Sequence, residues 1–159
     1  MITFQKIKWK NFLSTGDHFS EIDFTKNGTN LIVGTNGTGK STVLDALTFS
    51  LFNKPFRKIN KSQLINATNE KDCLVEVEFN INGKQYLVRR SIKPNLFEIE
   101  VDGQKMHKQS DDRAMQKILE ENILKVNYKS FTQIVILGSS AFVPFMQFCL
   151  LYTSPSPRD

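Results

Sequence analysis

Apolar and polar side chains alternate along residues 2–10 (ITFQKIKWK), with Ile2, Phe4 and Ile7 apolar and Trp9 close behind. A period of two predicts a half-buried strand. Residues 17–24 alternate again through Phe19, Ile22 and Phe24, and the turn signal Lys26-Asn27-Gly28 closes them. Leu31-Ile32-Val33 is wholly apolar, which predicts a short strand at the centre of a sheet covered on both faces. Residues 40–52 are apolar nearly all round, through Val43, Leu44, Ala46, Leu47, Phe49, Leu51 and Phe52. The helix expected there is buried rather than amphipathic, and Pro55 lies just beyond its end.

The pattern then changes. Residues 73–81 (CLVEVEFNI) and 84–90 (KQYLVRR) alternate on either side of Asn82-Gly83, the strongest short-range hairpin signal. Residues 96–101 (LFEIEV) add a further strand, ended by Asp102-Gly103, so an antiparallel meander is expected. Within it Glu76, Glu78 and Glu98 read as solvent-facing. Residues 111–124 predict an amphipathic helix with Met115, Ile118 and Leu119 on one face, and Asp111-Asp112 suits its N-terminus. Residues 133–137 (QIVIL) predict a final buried strand. No internal repeat is visible. The end, FCLLYTSPSPRD, cannot extend a strand or helix at Ser154-Pro155-Ser156-Pro157. The chain therefore reads as a lobe over residues 1–147 and a disordered, non-native tail over 148–159. That tail resembles the translated adapter read-through found at the ends of truncated metagenomic reading frames.

Composition narrows the picture only slightly. With 159 residues, 40% hydrophobic and 23% charged, the chain has the composition of an ordinary globular domain. No apolar stretch approaches the roughly eighteen residues of a membrane span, and the alternating N-terminus does not read as a signal peptide. No membrane partner is expected. Cys73 and Cys149 are far apart, and His18 and His107 are isolated, so no metal spacing exists and a reduced, cytoplasmic compartment is expected. The net charge of +5, from 21 Lys and Arg against 16 Asp and Glu, permits nucleic-acid binding without demonstrating it. Lys54, Arg57, Lys58 and Lys61 form a basic cluster that reads either as a phosphate-backbone surface or as a solvated connection.

Candidate chemistry concentrates in Gly34-Thr35-Asn36-Gly37-Thr38-Gly39-Lys40-Ser41, which matches GxxxxGK[ST] at every fixed position between an apolar run and a helix. Glycines let successive N–H groups approach one phosphate, and the helix adds its positive N-terminal end. Asn36, Gly37, Thr38, Gly39, Lys40, Ser41 and Thr42 are the expected ATP-binding residues. Lys40 is placed on the β and γ phosphates, Ser41 on Mg²⁺ and Thr42 near a neighbouring phosphate oxygen. Hydrolysis also needs a carboxylate after a second apolar strand. No run of four apolar residues followed by Asp or Glu occurs; Ile134-Val135-Ile136-Leu137 leads into Gly138-Ser139-Ser140. A guanine-reading motif is missing too, because Asn53-Lys54-Pro55-Phe56 carries Phe in place of Asp.

Antiparallel strands before the loop and a meander after it match the ATPase heads of the ABC and SMC-like class. The stretches Lys10-Asn11-Phe12 and Asn30 to Leu47 (NLIVGTNGTGKSTVLDAL) resemble the N-terminal head of the SbcC-type DNA-repair ATPases. Residues 54–57 (KPFR), 63–66 (QLIN), 93–99 (KPNLFEI) and 131–146 (FTQIVILGSSAFVPFM) are similar to the ATPase subunits of tailed-phage recombination endonucleases. The resemblance covers residues 1–147. It implies an α/β fold: the N-terminal half of an ABC/SMC-like P-loop NTPase head, with an antiparallel β-meander beside the P-loop strand and helix.

The resemblance also implies a split ATPase. A C-terminal half of the same head, beyond a coiled coil, carries the Walker B acid and signature motif. Two heads form a homodimer around ATP, and an SbcD-type nuclease subunit joins them on DNA ends. On this reading the chain binds ATP and Mg²⁺ but hydrolyses little alone. The family's Q-loop glutamine falls at Ser139 or Ser140, so Gln133, at the start of the expected strand, is the alternative candidate. Asn11 and Phe12 read either as nucleotide neighbours or as a strand end and a core aromatic. A small P-loop kinase and a non-hydrolysing DNA-binding module are the alternatives.

Overall fold

A computed structural model describes residues 1–107 and 111–136. Their elements are β1 (Ile2–Lys10), β2 (Ser20–Asp23), α1 (Thr42–Phe52), β3 (Cys73–Ile81), β4 (Lys84–Ile92), β5 (Leu96–Val101), β6 (Gln104–Lys105), α2 (Asp112–Ile118) and α3 (Tyr128–Ile134). Lys61–Leu64 forms a 3-10 turn. Met1–Asn127 make up one compact unit, and a second begins at Tyr128 with α3. The expectations for Ser139, Ser140 and the tail from residue 148 lie outside the described residues.

The six strands form one sheet in the order β2-β1-β3-β4-β5-β6, antiparallel at every pairing. The expected meander is present as β3, β4 and β5. Asn82 and Gly83 close its first turn at φ of 50° and 85°, the left-handed angles that Asn-Gly supplies at low cost. On one face the register sets Ile7 beside Val77, Val77 beside Val88 and Val88 beside Ile99. All four are buried. Helix α1 lies against this face, because the Arg90 guanidinium, on the same face, donates from Nε to the Ser50 carbonyl at 3.1 Å. Phe12 packs beside Phe49 of α1 with ring centroids 5.9 Å apart.

The apolar spacing of β1 slips between Phe4 and Ile7, and the structure shows why. The register with β3 shifts between Phe4 and Lys6, which makes Gln5 the extra residue of a bulge. Phe4 and Ile7 thereby share the core face although three residues separate them.

Three expectations need correction. Leu31, Ile32 and Val33 form no strand, and they are 86%, 46% and 77% exposed. No described strand pairs with them, and among the described residues nothing covers their side chains; an apolar run becomes a central strand only with neighbours. Residues 133–137 are not a strand in their described part: Gln133 and Ile134 end α3, and Ile134 and Val135 are 72% and 48% exposed. Length and apolarity alone cannot tell a buried strand from a helix end. Glu76 does not face solvent, since it is only 6% exposed between Lys8 and Arg89. Glu98, also ion-paired on that outward face, is half-buried, as is Glu78.

Helix α2 begins where expected, with Asp111 as N-cap accepting from the Arg113 N–H at 3.2 Å. It continues as a π-helical stretch, Leu119–Leu124. The wider turn lets Leu119 and Leu124, five residues apart, join Met115 in the core. Among the described residues no helix is long and apolar enough to cross a membrane.

Candidate nucleotide-binding site

The glycine loop leads directly into α1. Gly37 and Gly39 have φ of 85° and 88°, a region where a side chain is strained. Gly34 meets a different limit: a Cβ there would stand 2.6 Å from the Thr38 Oγ1. Thr38 folds the loop from within, donating its hydroxyl to the Thr35 carbonyl at 2.7 Å and its N–H to the same oxygen at 3.3 Å. The N–H groups of Gly37, Gly39, Lys40 and Ser41 find no acceptor among the described residues. Four donors beside a helix N-terminus form a concave positive surface suited to an anion.

Lys40 reaches back over this loop. Its Nζ donates to the Gly34 and Thr35 carbonyls at 2.6 and 2.8 Å. Ser41 occupies the N-cap position of α1 yet makes no side-chain capping bond, which leaves its hydroxyl available. A cleft of about 450 Å³ opens here. Asn36, Gly37, Gly39, Lys40, Ser41 and Thr42 line it, together with Leu13, Ser14, Ile65, Ala67, Arg57 and Gln63 from the rest of the chain. Of the expected nucleotide residues, Thr38 alone does not line it.

The donor set fits a phosphate chain with Mg²⁺: unpaired N–H groups, one ammonium and one uncapped hydroxyl, in a loop that side chains would fill. Among the described residues no group of three His, Cys, Asp or Glu is arranged to hold a metal ion. A cation at Ser41 would therefore rely on phosphate and water oxygens for its remaining ligands.

Other sequence candidates scatter. Asn11 is buried, donating to the Asp17 carboxylate at 3.0 Å and accepting from Asn69 at 2.7 Å. Phe12 is a fully buried core aromatic. Gln133 belongs to α3, in the second unit, with its side chain exposed. Of the four basic residues, Lys54, Arg57 and Lys58 are exposed and Lys61 is half-buried. Arg57 turns to α1, giving its N–H and Nε to the two carboxylate oxygens of Asp45 at 2.9 and 2.6 Å. Lys54 and Lys61 line a separate cavity of about 290 Å³ that also contains Arg90, and Lys58 is exposed. Burial, then the charge of Arg90, lowers the Lys61 ammonium below its ordinary value, while Asp112 opposes them.

Sequence reasoning assigned no role to two residues near the cleft. Asp45, fully buried, reads as one more residue of an apolar helix until its Arg57 partner is seen. Asn66 is the other. Its neighbours Gln63-Leu64-Ile65 carry no periodicity that marks it.

The sequence family described as AAA domain matches residues 6–150. The chain belongs to the AAA domain family. Within reach of this AAA domain chain is "Exonuclease subunit 2" of Enterobacteria phage T4, 43% identical over 141 residues. That match covers 89% of the chain and 25% of the phage protein. "DNA double-strand break repair Rad50 ATPase" of Thermoplasma volcanium is 32% identical over 133 residues, covering 80% of the chain and 14% of the relative. The chain thus spans about a quarter of the phage relatives it matches.

A solved structure described as "Structural biochemistry of ATP-driven dimerization and DNA stimulated activation of SMC ATPases" superposes with a TM-score of 0.62. Its sequence identity is 23%, and the match covers 94% of this chain and 97% of that one. The Smc head domain of Pyrococcus furiosus, with an extended coiled coil and bound to the C-terminal domain of ScpA, gives 0.54 at 27% identity over 76% and 33% of the two chains. The fold is that of the N-terminal part of an SMC-like, ABC-type ATPase head, and the resemblance to DNA-repair ATPases and phage exonuclease subunits holds.

Proposed function

We propose that this AAA domain chain is the ATP- and Mg²⁺-binding N-terminal half of an ATPase head working in DNA double-strand-break repair and recombination. The observation that carries this reading is the set of N–H groups at Gly37, Gly39, Lys40 and Ser41 that have no acceptor among the described residues, in residues that line a cleft of a chain similar to exonuclease subunit 2 and Rad50 ATPases. Lys40 leaves the Gly34 and Thr35 carbonyls to meet phosphate oxygens, Ser41 holds Mg²⁺, and the backbone amides orient the phosphate chain. Bound Mg²⁺ supplies charge neutralisation at the β and γ phosphates.

The reaction itself needs a second carboxylate, and the proposal places that group on a C-terminal half of the same head. A second head, an SbcD-type nuclease subunit and DNA ends are the proposed partners. Titration calorimetry with Mg·ATP tests the reading. Saturable binding is expected, with Lys40→Ala weakening it by about a hundredfold, the scale of losing a charge-assisted contact to phosphate. Steady ATP turnover by this chain, abolished by Lys40→Ala, would count against the split site. DNA binding that depends on salt and ignores ATP would favour a DNA-binding module instead.

A further inference from the structure

Two loops that line the cleft along with the glycines are joined by one side chain. The Asn66 amide nitrogen donates to the Leu13 carbonyl at 3.0 Å and the Thr15 carbonyl at 3.2 Å. Its oxygen accepts from the Thr68 and Asn69 N–H groups at 3.0 and 3.1 Å. Every donor and acceptor of the amide is used, each on backbone, in a residue only 9% exposed. The orientation is unambiguous, because a flipped amide would set NH₂ against two N–H groups and oxygen against two carbonyls.

What Asn66 holds is a segment that needs holding. Asn11 and Leu13 have φ of 48° and 53°, and for a leucine the left-handed region is costly. Leu13, Ser14, Ile65 and Ala67 all line the cleft, and Phe12 and Ile65 pair as an antiparallel bridge between their segments. The Ser14 Oγ would stand 3.4 Å from a Cβ built on Gly39, an ordinary contact distance, so the absence of a side chain at Gly39 leaves room between the two loops. Two backbone bonds run in parallel: Leu13 N–H to the Leu64 carbonyl at 2.7 Å, and Asn66 N–H to the Asn11 carbonyl at 2.9 Å.

We propose that Asn66 is a positioning residue for nucleotide binding: it fixes loop 13–15 against loop 65–69, preforming the apolar slot of Leu13, Ile65 and Ala67 that receives the base end of the nucleotide. The assignment rests on the nucleotide reading above and adds which residue sets the slot's geometry. It separates the two ends of the ligand, because the phosphate end is held by the glycine loop, which Asn66 does not touch.

The test is calorimetric titration of the chain with Mg·ATP and, separately, with Mg·tripolyphosphate, alongside thermal melting of each variant. Asn66→Ala is expected to weaken ATP binding about tenfold, the scale of two backbone hydrogen bonds, with tripolyphosphate changed by less than about twofold. Asn66→Asp retains an acceptor for the turn at 66–69 and loses both donors, so it is expected to behave alike. Unchanged ATP affinity in either variant overturns the proposal. So does an equal loss of both ligands, through unfolding or otherwise, since that marks a purely structural residue. A wild-type chain that binds neither ligand overturns the nucleotide reading itself and this assignment with it; one that binds both leaves the variants to decide.

Discussion

Glu76 holds two cations at once, the Lys8 ammonium at 2.8 Å and the Arg89 Nε at 2.6 Å. Arg89 also reaches Glu98 at 3.0 Å, and Lys105 reaches Glu98 at 2.9 Å. The charges alternate along a row crossing β1, β3, β4 and β5. Burial opposes ionisation of Glu76, but hydrogen bonds from Lys8 and Arg89 outweigh it and hold the carboxyl below its usual value of 4.5. A carboxyl with a depressed folded pKa stabilises above its unfolded pKa, and that stability is lost as pH falls through the folded value. Chemical denaturation followed between about pH 6 and 3 should show wild-type stability falling below the ordinary carboxylate range. Glu76→Gln should flatten that fall and cost about 2 kcal/mol at neutral pH, because two cations lose their counter-charge. Alternation placed Glu76 on the correct face. Its burial was hidden because the partners lie on strands 68 and 13 residues away in sequence, and pairing register is not written in either strand alone.

At the scale of elements, α1 is fixed at its far end by a buried cation. Arg90 donates to the Ser50 carbonyl and, from Nη2, to the Gln116 Oε1 at 2.6 Å; Gln116 in turn donates to the Leu51 carbonyl at 2.8 Å. The guanidinium stacks 3.8 Å over the Phe97 ring. Burial pulls it down to about 9, against the pull of Asp112 and Glu120, so it stays charged near neutrality. Cations are favourable at the last carbonyls of a helix, and α1 has no basic residue of its own in its last turn. Arg90→Leu should cost about 3 kcal/mol in denaturant unfolding, from lost carbonyl partners and lost ring contact. Elements with local punctuation were legible: Asn82-Gly83 and Asp102-Gly103 gave β3, β4 and β5 nearly to the residue, and the glycine loop gave the start of α1. Residues 31–33 and 133–137 were not. An apolar run says that something must cover it, and only the rest of the fold says what and in which conformation.

For the molecule as a whole, the sheet is antiparallel throughout while the segment leading into the glycine loop remains uncovered. Leu31 and Val33, at 86% and 77% exposed, stand beside half-exposed Ile32. Contiguous exposed apolar side chains favour self-association. The double substitution Leu31→Ser with Val33→Ser should lower static light scattering at high protein concentration and shift the melting temperature by less than about 2 °C, since neither side chain is buried. A scattering signal that the pair leaves untouched would point to another surface. The candidate site was half legible for a related reason. The glycine loop is a contiguous motif, whereas Leu13 with Ser14 and Ile65 with Ala67 come to the cleft only through the fold.

The bulge at Gln5 has a consequence for how β1 tolerates changes of length. Removing one residue from a strand ordinarily turns everything beyond it to the opposite face. Deleting Gln5 does the reverse. Ile2, Phe4, Ile7 and Trp9 then fall into strict alternation, all toward the core, and the pairing with β3 loses its shift. The losses are confined to the carbonyl that takes the Phe24 N–H at 2.8 Å and the side-chain bond with Gln85. A chain lacking Gln5 should keep its far-ultraviolet circular dichroism and unfold cooperatively with a loss of about 1–2 kcal/mol. Deleting Lys8, two positions past the slip, should abolish folding, because Trp9 would face outward and the charge row would break. One position in this strand is therefore open to a deletion that its neighbours forbid.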